Sequence, residues 1–209
     1  MNIQSIEIPC PICHHQGEVK MITHIDEIPY FGEHTQLTLF CEACSWKQTD
    51  FIPAEGKKSG AWRIKVNDTS CFTARVVRSS SCTVRIHELD LEVNPGASST
   101  GYVSNIEGVI QRFLDIIDMV GRDLAASAQY SDTPDVQHEI SEHLNQLQGI
   151  KERLLHPDYE GNAYSIELLD PHGHSMILHD EASERELTPD EIQMLPVGPD
   201  PAVFSSDEL

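Results

Sequence analysis

Three features of the 209-residue chain predict a mainly β fold with α-helices. Two C-x-x-C pairs lie near the N-terminus among short β-like segments, and period-two apolar alternation follows from Trp62 onward. Two stretches with the helical period then interrupt the strands, which return after the second of them. We therefore predict a cysteine-bearing unit of residues 1–53, a β-domain of residues 54–180 with a helical hairpin insertion at about 104–156, and a flexible acidic tail of residues 181–209.

The N-terminal unit is predicted to bind one zinc ion. Its cysteines form two pairs, Cys10 with Cys13 and Cys41 with Cys44, separated by twenty-seven residues. Each pair presents two sulfurs from one tight turn, and the insert is long enough to fold back as a hairpin, which together make a zinc ribbon. Four thiolates leave no open position on the metal, so the predicted zinc is structural. A redox pair is the alternative, but that motif needs a single C-x-x-C at the start of a helix.

Composition predicts a soluble, cytoplasmic protein. No apolar run approaches the length of a membrane span, and the N-terminus lacks the regions of a secretory signal. Reduced thiols are expected in that compartment, and Cys71 and Cys82, which lie in apolar runs, are predicted to be buried and unpaired.

Charge argues against direct binding of nucleic acid. The chain carries 34 acidic and 14 basic residues, for a formal charge of −20. Residues 1–53 hold two lysines against seven carboxylates, so the predicted zinc unit lacks the basic footprint of a nucleic-acid finger. A salty cytoplasm and a basic protein partner explain the acidity equally well. The sequence predicts no oligomeric state.

The strands of the β-domain are predicted from alternation. A first strand covers residues 62–66, and alternation on both sides of Ser79-Ser80-Ser81 predicts a hairpin that turns there. The phase then slips by one residue, and a β-bulge at His87-Glu88 would account for the slip.

Two amphipathic helices are predicted between the strands. The first is expected to begin at Ser104, whose hydroxyl would form a capping box with Glu107. The second is expected to begin with Thr133 as the cap and Pro134 at the first helical position, and to end before Pro157. A short polar loop joins them, so they should form an antiparallel helical hairpin.

The C-terminal segment is acidic and rich in proline. The last thirty residues hold nine carboxylates against Arg185 alone. Thr188-Pro189-Asp190-Glu191 could cap one short helix before Leu195, and the remainder is predicted to be flexible.

Several sequence blocks resemble the ZPR-type zinc-finger proteins, in particular their single-module archaeal-type members. The blocks are the two C-x-x-C pairs, Ile28-Pro29-Tyr30-Phe31-Gly32-Glu33, Arg75-Val76-Val77-Arg78-Ser79, Arg85-Ile86-His87-Glu88-Leu89-Asp90-Leu91-Glu92, Ser104-Asn105-Ile106-Glu107-Gly108 and Asp170-Pro171-His172-Gly173-His174-Ser175. The resemblance implies a zinc ribbon followed by a double-stranded β-helix that a helical hairpin interrupts. It also implies a protein that binds translation elongation factor one-alpha and assists its folding. Eukaryotic members carry two modules in tandem, whereas this chain has one.

The apolar block between the cysteine pairs is the candidate surface for that partner. Ile28, Pro29, Tyr30 and Phe31 would present a rigid apolar contact, while the carboxylate-rich surface attracts a basic face of the partner. The alternative is that these residues pack against the chain's own β-domain, since aromatic residues are usually buried.

Two other functions are suggested by polar clusters. Asp26-Glu27 resembles the acidic pair with which transcript-cleavage factors hold a metal ion in RNA polymerase. His172, His174 and His179 have a superficial metal-ligand spacing, which suggests a cupin-like enzyme. Nucleophilic triads and phosphate-binding loops are absent from the sequence, so we predict that the protein is not an enzyme.

Overall fold

The computed structural model of the chain describes residues 2–29, 31–54, 58–96, 99–129 and 133–196. The predicted mainly β architecture, with an N-terminal cysteine-bearing ribbon and a helical insertion, is confirmed. The strands are β1 (Asn2–Ile6), β2 (Val19–Ile28), β3 (Gly32–Cys41), β4 (Lys47–Pro53), β5 (Gly60–Val66), β6 (Arg75–Arg78), β7 (Thr83–Ile86), β8 (Leu91–Val93), β9 (Tyr102–Asn105), β10 (Tyr164–Asp170), β11 (Met176–Leu178) and β12 (Ser183–Glu186). The helices are α1 (Ile106–Gln129), α2 (Pro134–Leu155) and α3 (Pro189–Met194).

The N-terminal strands form one antiparallel sheet in the order β1-β2-β3-β4. Strands β2 and β3 are a ten-residue hairpin whose register pairs Val19 with Cys41 and Ile28 with Gly32. Alternate residues of β2 and β3 point to one face and, together with Ile6 of β1 and Cys10 of the loop that follows it, make a small core. Its members are Ile6, Cys10, Val19, Met21, Leu37, Leu39 and Cys41. A core of this size buries too little apolar area to fold a sheet alone, so further stabilisation is required.

The β-domain consists of two antiparallel sheets around one apolar core. Their strand orders are β12-β5-β10-β7-β8 and β11-β6-β9. The predicted hairpin at Ser79-Ser80-Ser81 is wrong, because β6 and β7 belong to different sheets and this segment crosses between them. Alternation alone does not reveal which strands pair. The prediction for Cys71 and Cys82 is confirmed, since both thiols are unpaired and buried in the core.

The predicted β-bulge at His87-Glu88 is also wrong. Residues His87–Leu89 form a 3₁₀ turn, which Asp90 ends in the left-handed conformation with φ of 52°. The chain reverses here, and Ile86 of β7 pairs with Leu91 of β8. The slip in alternation therefore marks a hairpin loop, because a reversal also changes which residues face the core.

The two long helices form the predicted antiparallel hairpin. The Lys151 Nζ of α2 lies 2.5 Å from the Asp118 Oδ1 of α1, and Gly121 faces Leu144 and Leu147. Pro134 is the first residue of α2 and Thr133 is its cap, as predicted. In the described part of the chain, no helix combines the length and apolar character needed to cross a membrane.

The start of α1 differs from the predicted capping box. Ser104 belongs to strand β9, and the cap is Asn105, whose Oδ1 accepts a hydrogen bond from Gly108 N at 2.8 Å. Strand β9 was not predicted, and Ser104 lies within it because it pairs with Val76 of β6. An asparagine at this position satisfies an N–H of the first turn as well as a serine does.

We expect Asn105→Ala to lower the free energy of unfolding by about 1 kcal/mol, because Gly108 N–H then loses its acceptor. Ser104→Ala is the matched control and should cost less. Urea denaturation of both variants, followed by circular dichroism, measures the difference. A larger loss for Ser104→Ala would contradict the assignment of the cap.

The predicted flexible tail is corrected for residues 183–187, which include a strand and pack against the β-domain. Strand β12 pairs with β5, and α3 begins with the predicted capping box of Thr188 and Glu191. Leu187 and Leu195 are buried against Ala61 and Leu169 of the β-domain. The acidic composition of this segment gives no sign of these contacts. The strand that β12 pairs with lies more than a hundred residues earlier, so the pairing is not visible in the local sequence. Residues 197–209 of the predicted tail lie outside the described residues.

Candidate metal centre and neighbouring cleft

Both C-x-x-C turns are built in the same way. Two backbone hydrogen bonds close each turn: Cys10 N to His15 O and His14 N to Cys10 O in the first, Cys41 N to Trp46 O and Ser45 N to Cys41 O in the second. His14 and Ser45, which follow the second cysteine of each pair, have φ of 57° and 61°. These left-handed residues turn the chain back, so that both sulfurs of a pair point to the same side.

The four sulfurs converge on one point. Cys10 Sγ lies 3.7 Å from Cys44 Sγ, and Cys13 Sγ lies 3.7 Å from Cys41 Sγ. All four sulfur atoms lie within 4.8 Å of one another. A tetrahedral zinc ion with Zn–S bonds of about 2.3 Å separates its sulfurs by about 3.8 Å, so the cluster is consistent with one structural zinc.

The thiols perturb one another because they are crowded. Burial opposes ionisation of Cys10, but the N–H groups of Cys13 and Ile12 and the adjacent thiols lower its pKa to about 6. The N–H of Trp46 favours the Cys44 thiolate, but burial and the three other thiols raise its pKa to about 12. The Cys10 thiolate thus forms readily, whereas the raised pKa values of Cys13 and Cys44 disfavour theirs, so four thiolates need a cation between them.

The three histidines considered for a cupin-like enzyme are not assembled into a metal site. Among the described residues, the four cysteines are the group of metal-ligating side chains that converges. The rings of His172 and His174 are 5.8 Å apart between centroids, and His179 Nδ1 accepts a hydrogen bond from Glu181 N. Burial lowers the pKa of His174, although the Asp170 carboxylate opposes this effect.

Asp26 and Glu27 lie near the tip of the β2–β3 hairpin and are exposed. Asp26 Oδ1 accepts a hydrogen bond from Glu27 N, and its Oδ2 lies 3.6 Å from His24 Nε2. In the described residues, no third ligand joins this pair to complete a metal site. The arrangement is that of solvated carboxylates and does not favour transcript-cleavage chemistry.

The candidate apolar block lies beside a cleft between the ribbon and the β-domain. The cleft has a volume of about 570 Å³ and is lined by Ile28, Pro29, Phe31, Thr73, Arg75, Val103, Ser104 and Asn105. Phe31 is 8% exposed, Ile28 is half-buried and Pro29 is exposed. Burial of Phe31 agrees with the alternative that it packs within the chain, so Ile28 and Pro29 are the accessible part. Tyr30 lies outside the described residues.

A buried carboxylate, which the sequence analysis missed, joins the ribbon to the β-domain. Asp50 of β4 accepts hydrogen bonds from Ser80 N at 2.9 Å and from Ser80 Oγ at 2.6 Å. Gly101 N donates to Thr49 O at 2.7 Å, and a Cβ at Gly101 would lie 2.8 Å from Asp50 Oδ1. Glycine is therefore required where the two units approach.

A second buried carboxylate, within the β-domain, binds the serines on either side of Ser80. Asp170 is 1% exposed and accepts hydrogen bonds from three serine hydroxyls and one N–H, which are Ser79 Oγ (2.7 Å), Ser81 Oγ (2.8 Å), Ser175 Oγ (2.6 Å) and His172 N (3.0 Å). Burial opposes its charge, but these donors prevail and hold the pKa below its usual range. Ser-Ser-Ser and Asp-Pro-His-Gly sequences usually form exposed turns, so neither segment suggested a buried site. The presence of a serine run and a separate aspartate that could accept its hydroxyl hydrogen bonds was the signal that could have revealed it.

Comparisons with known proteins match both parts of the chain. Family models described as the ZPR1 zinc-finger domain and the ZPR1 jelly-roll domain match residues 2–59 and 70–193. The jelly roll agrees with the predicted double-stranded β-helix. The chain is 34% identical to an uncharacterised ZPR1-like protein of Pyrococcus horikoshii, over 94% of this chain and 84% of the relative. It is 31% identical to a ZPR1-like protein of Methanocaldococcus jannaschii, over 94% and 91%. The zinc finger chaperone zpr1 of Schizosaccharomyces pombe is 26% identical, over 57% of this chain and 26% of the relative.

Proposed function

Because the chain belongs to the ZPR1 zinc-finger family, we propose that it is a non-enzymatic, zinc-stabilised binding protein of the cytoplasm. Its proposed partner is translation elongation factor one-alpha, which it binds and helps to fold. The convergence of four thiols into a closed site carries this proposal, because such a zinc serves as a scaffold and activates no water. The name of the fission-yeast relative, a zinc finger chaperone, supports a protein-binding role.

We assign Cys10, Cys13, Cys41 and Cys44 as the zinc ligands. The ion would join the two C-x-x-C turns at the base of the β2–β3 hairpin, since Cys41 ends β3 and pairs with Val19. The hairpin then extends ten residues to the apolar block at its tip. Zinc would act on binding indirectly, by keeping the hairpin folded and its tip in a fixed place.

The binding surface combines an apolar contact with negative charge. Ile28 and Pro29 supply the accessible apolar atoms, while Phe31 lines the same cleft but is buried. The chain has a formal charge of −20, which would speed encounter with a basic face of the elongation factor.

Capture from a lysate of the source cells tests the partner. The tagged full chain is expected to retain elongation factor one-alpha, and the purified chain should raise the yield of the factor on refolding from denaturant. Recovery of RNA polymerase instead would support the transcript-cleavage alternative and contradict the proposal. Chain stripped of zinc by a chelator is the matched control and should retain neither.

Ile28→Ser should weaken binding of the elongation factor by about tenfold or more, because a central apolar contact is lost. Ile25→Ser is the matched control, since Ile25 lies on the same strand, is 63% exposed and does not line the cleft. Surface plasmon resonance with the purified factor measures both affinities. Equal affinities for two folded variants would exclude Ile28 from the contact.

A further inference from the structure

The cleft beside Ile28 is bordered by an edge strand. Strand β9 is the last strand in the order β11-β6-β9. Gly101 N donates to Thr49 O of β4 immediately before β9 begins, but no ladder joins β4 to β9 within the described residues. The cleft is lined by Val103, Ser104 and Asn105, which are consecutive residues of this strand. Its outer edge therefore faces the cleft.

The hydrogen-bonding groups on that edge follow from the register of β9 with β6. Ile106 N donates to Ala74 O at 2.9 Å, and the ladder pairs Ser104 with Val76. Because hydrogen-bonded pairs alternate along antiparallel strands, Ser104 and Tyr102 bond to β6, whereas Val103 and Asn105 direct their backbone groups away from it. Val103 N–H, Val103 C=O and Asn105 N–H thus have the spacing that one added strand requires.

The surroundings of this edge select the kind of strand. Val103 is 45% exposed, and Ile28 and Pro29 provide further apolar lining. Asp26 and Glu27, on the hairpin just before Ile28, are exposed carboxylates. Glu33 lies directly opposite Glu27 across the hairpin, a like-charge pair that a cation would relieve. The hairpin side of the cleft is thus apolar with an acidic rim, while Thr73, Arg75, Ser104 and Asn105 make the rest of the lining polar, and Arg75 is the one cation among these described residues.

We propose that an extended, basic segment of the protein partner adds as a strand to the outer edge of β9. Its backbone would bond to Val103 and Asn105, an apolar side chain would enter the cleft, and flanking lysine or arginine residues would meet the acidic rim. The added strand rests on the proposed function, which treats the cleft as the binding surface. The required segment is extended and basic whichever protein supplies it.

Val103→Pro removes the outward N–H, and proline is tolerated on an edge strand where that N–H is not used in the sheet. The probe is a short, end-blocked peptide of alternating lysine and valine, measured with the full chain by fluorescence anisotropy. We expect Val103→Pro to weaken its binding about tenfold, as loss of one hydrogen bond with an unpaired acceptor predicts. Val103→Thr keeps the N–H and should lose less.

Glu184→Pro is the matched control on another edge strand. Leu187 N donates to Ser59 O, so Glu184 directs its N–H away from β5, and β12 lies at the far edge of the other sheet. This variant should bind the peptide as the parent does. An alternating glutamate and valine peptide should bind at least about tenfold more weakly, since the acidic rim repels it. The proposal is overturned if the parent chain binds the lysine and glutamate peptides equally. It is also overturned if Val103→Pro and the parent chain bind the lysine peptide equally.

Hydrogen exchange provides a second measurement that does not depend on folding of the proline variant. Amides of Val103 and Asn105 should gain protection when the lysine peptide binds the parent chain, and unchanged exchange would overturn the proposal. The elongation factor separates this inference from the proposed function. If the factor binds the parent and Val103→Pro equally, the added strand is wrong and the function stands. If the factor fails to bind while the lysine peptide shows the proline effect, the function fails and the inference stands.

Discussion

Cys41→Ala is expected to unfold the four-stranded N-terminal sheet while the β-domain stays folded. Cys41 ends β3, is fully buried and contributes to a core of only seven buried residues. A structural zinc ion supplies on the order of 10 kcal/mol to such a unit, more than its small core can replace. Hydrogen exchange with mass spectrometry should show loss of protection throughout β1 to β4 and retained protection in β10 and α1.

Cys71→Ala is the matched control for this variant. Cys71 is also a buried, unpaired cysteine, but it lies in the core of the β-domain, away from the sulfur cluster. Its loss should cost about 1–2 kcal/mol through reduced packing and leave protection of the ribbon unchanged. If the ribbon of Cys41→Ala stays protected, zinc is not what holds the sheet together.

Asp170→Ala is expected to destabilise the β-domain by about 3 kcal/mol or more, because three buried hydroxyls and one partly buried N–H lose a charged acceptor. Three of these donors are serine hydroxyls in the segment that crosses between the sheets and in the turn before β11. The neighbouring carboxylate of Asp50 accepts a hydrogen bond from Ser80 and therefore does not replace Asp170 as an acceptor. Thermal unfolding of the zinc-loaded chain, monitored by calorimetry, measures the loss.

The pH dependence of stability provides an independent check on Asp170. Its pKa lies below the usual range in the folded chain, so the carboxylate stabilises the fold above the unfolded pKa of about 4. That contribution is lost as pH falls through the folded pKa. Asp170→Asn should therefore differ most from the parent at neutral pH and least in strong acid, whereas Glu160→Gln, an exposed control, should follow the parent throughout. A constant difference between Asp170→Asn and the parent would contradict a charged Asp170.

Local sequence signals predicted the parts of the fold that depend on short-range chemistry. The spacing of Cys10, Cys13, Cys41 and Cys44 sufficed for the sulfur cluster, because few other arrangements use two C-x-x-C turns. The helical hairpin followed from apolar stripes and from Thr133 and Pro134, whose effect on a helix start is local.

The features that sequence did not predict depend on long-range pairing or buried polarity. Strand β12 pairs with β5 across more than a hundred residues, and Ser79-Ser80-Ser81 crosses between sheets where a local pattern indicates a turn. Asp50 and Asp170 have no apolar signature, and their burial depends on donors that the fold brings to them. The cap at Asn105 was missed because the preceding Ser104 had the expected spacing to Glu107.

Native mass spectrometry of the full chain tests the central claim most directly, namely that one zinc ion closed by four thiolates holds the ribbon and its binding tip in place. The parent chain should carry the mass of one zinc ion, and Cys41→Ala should have lost it. Metal-free chain whose ribbon amides remain fully protected and which still binds the elongation factor would contradict the account.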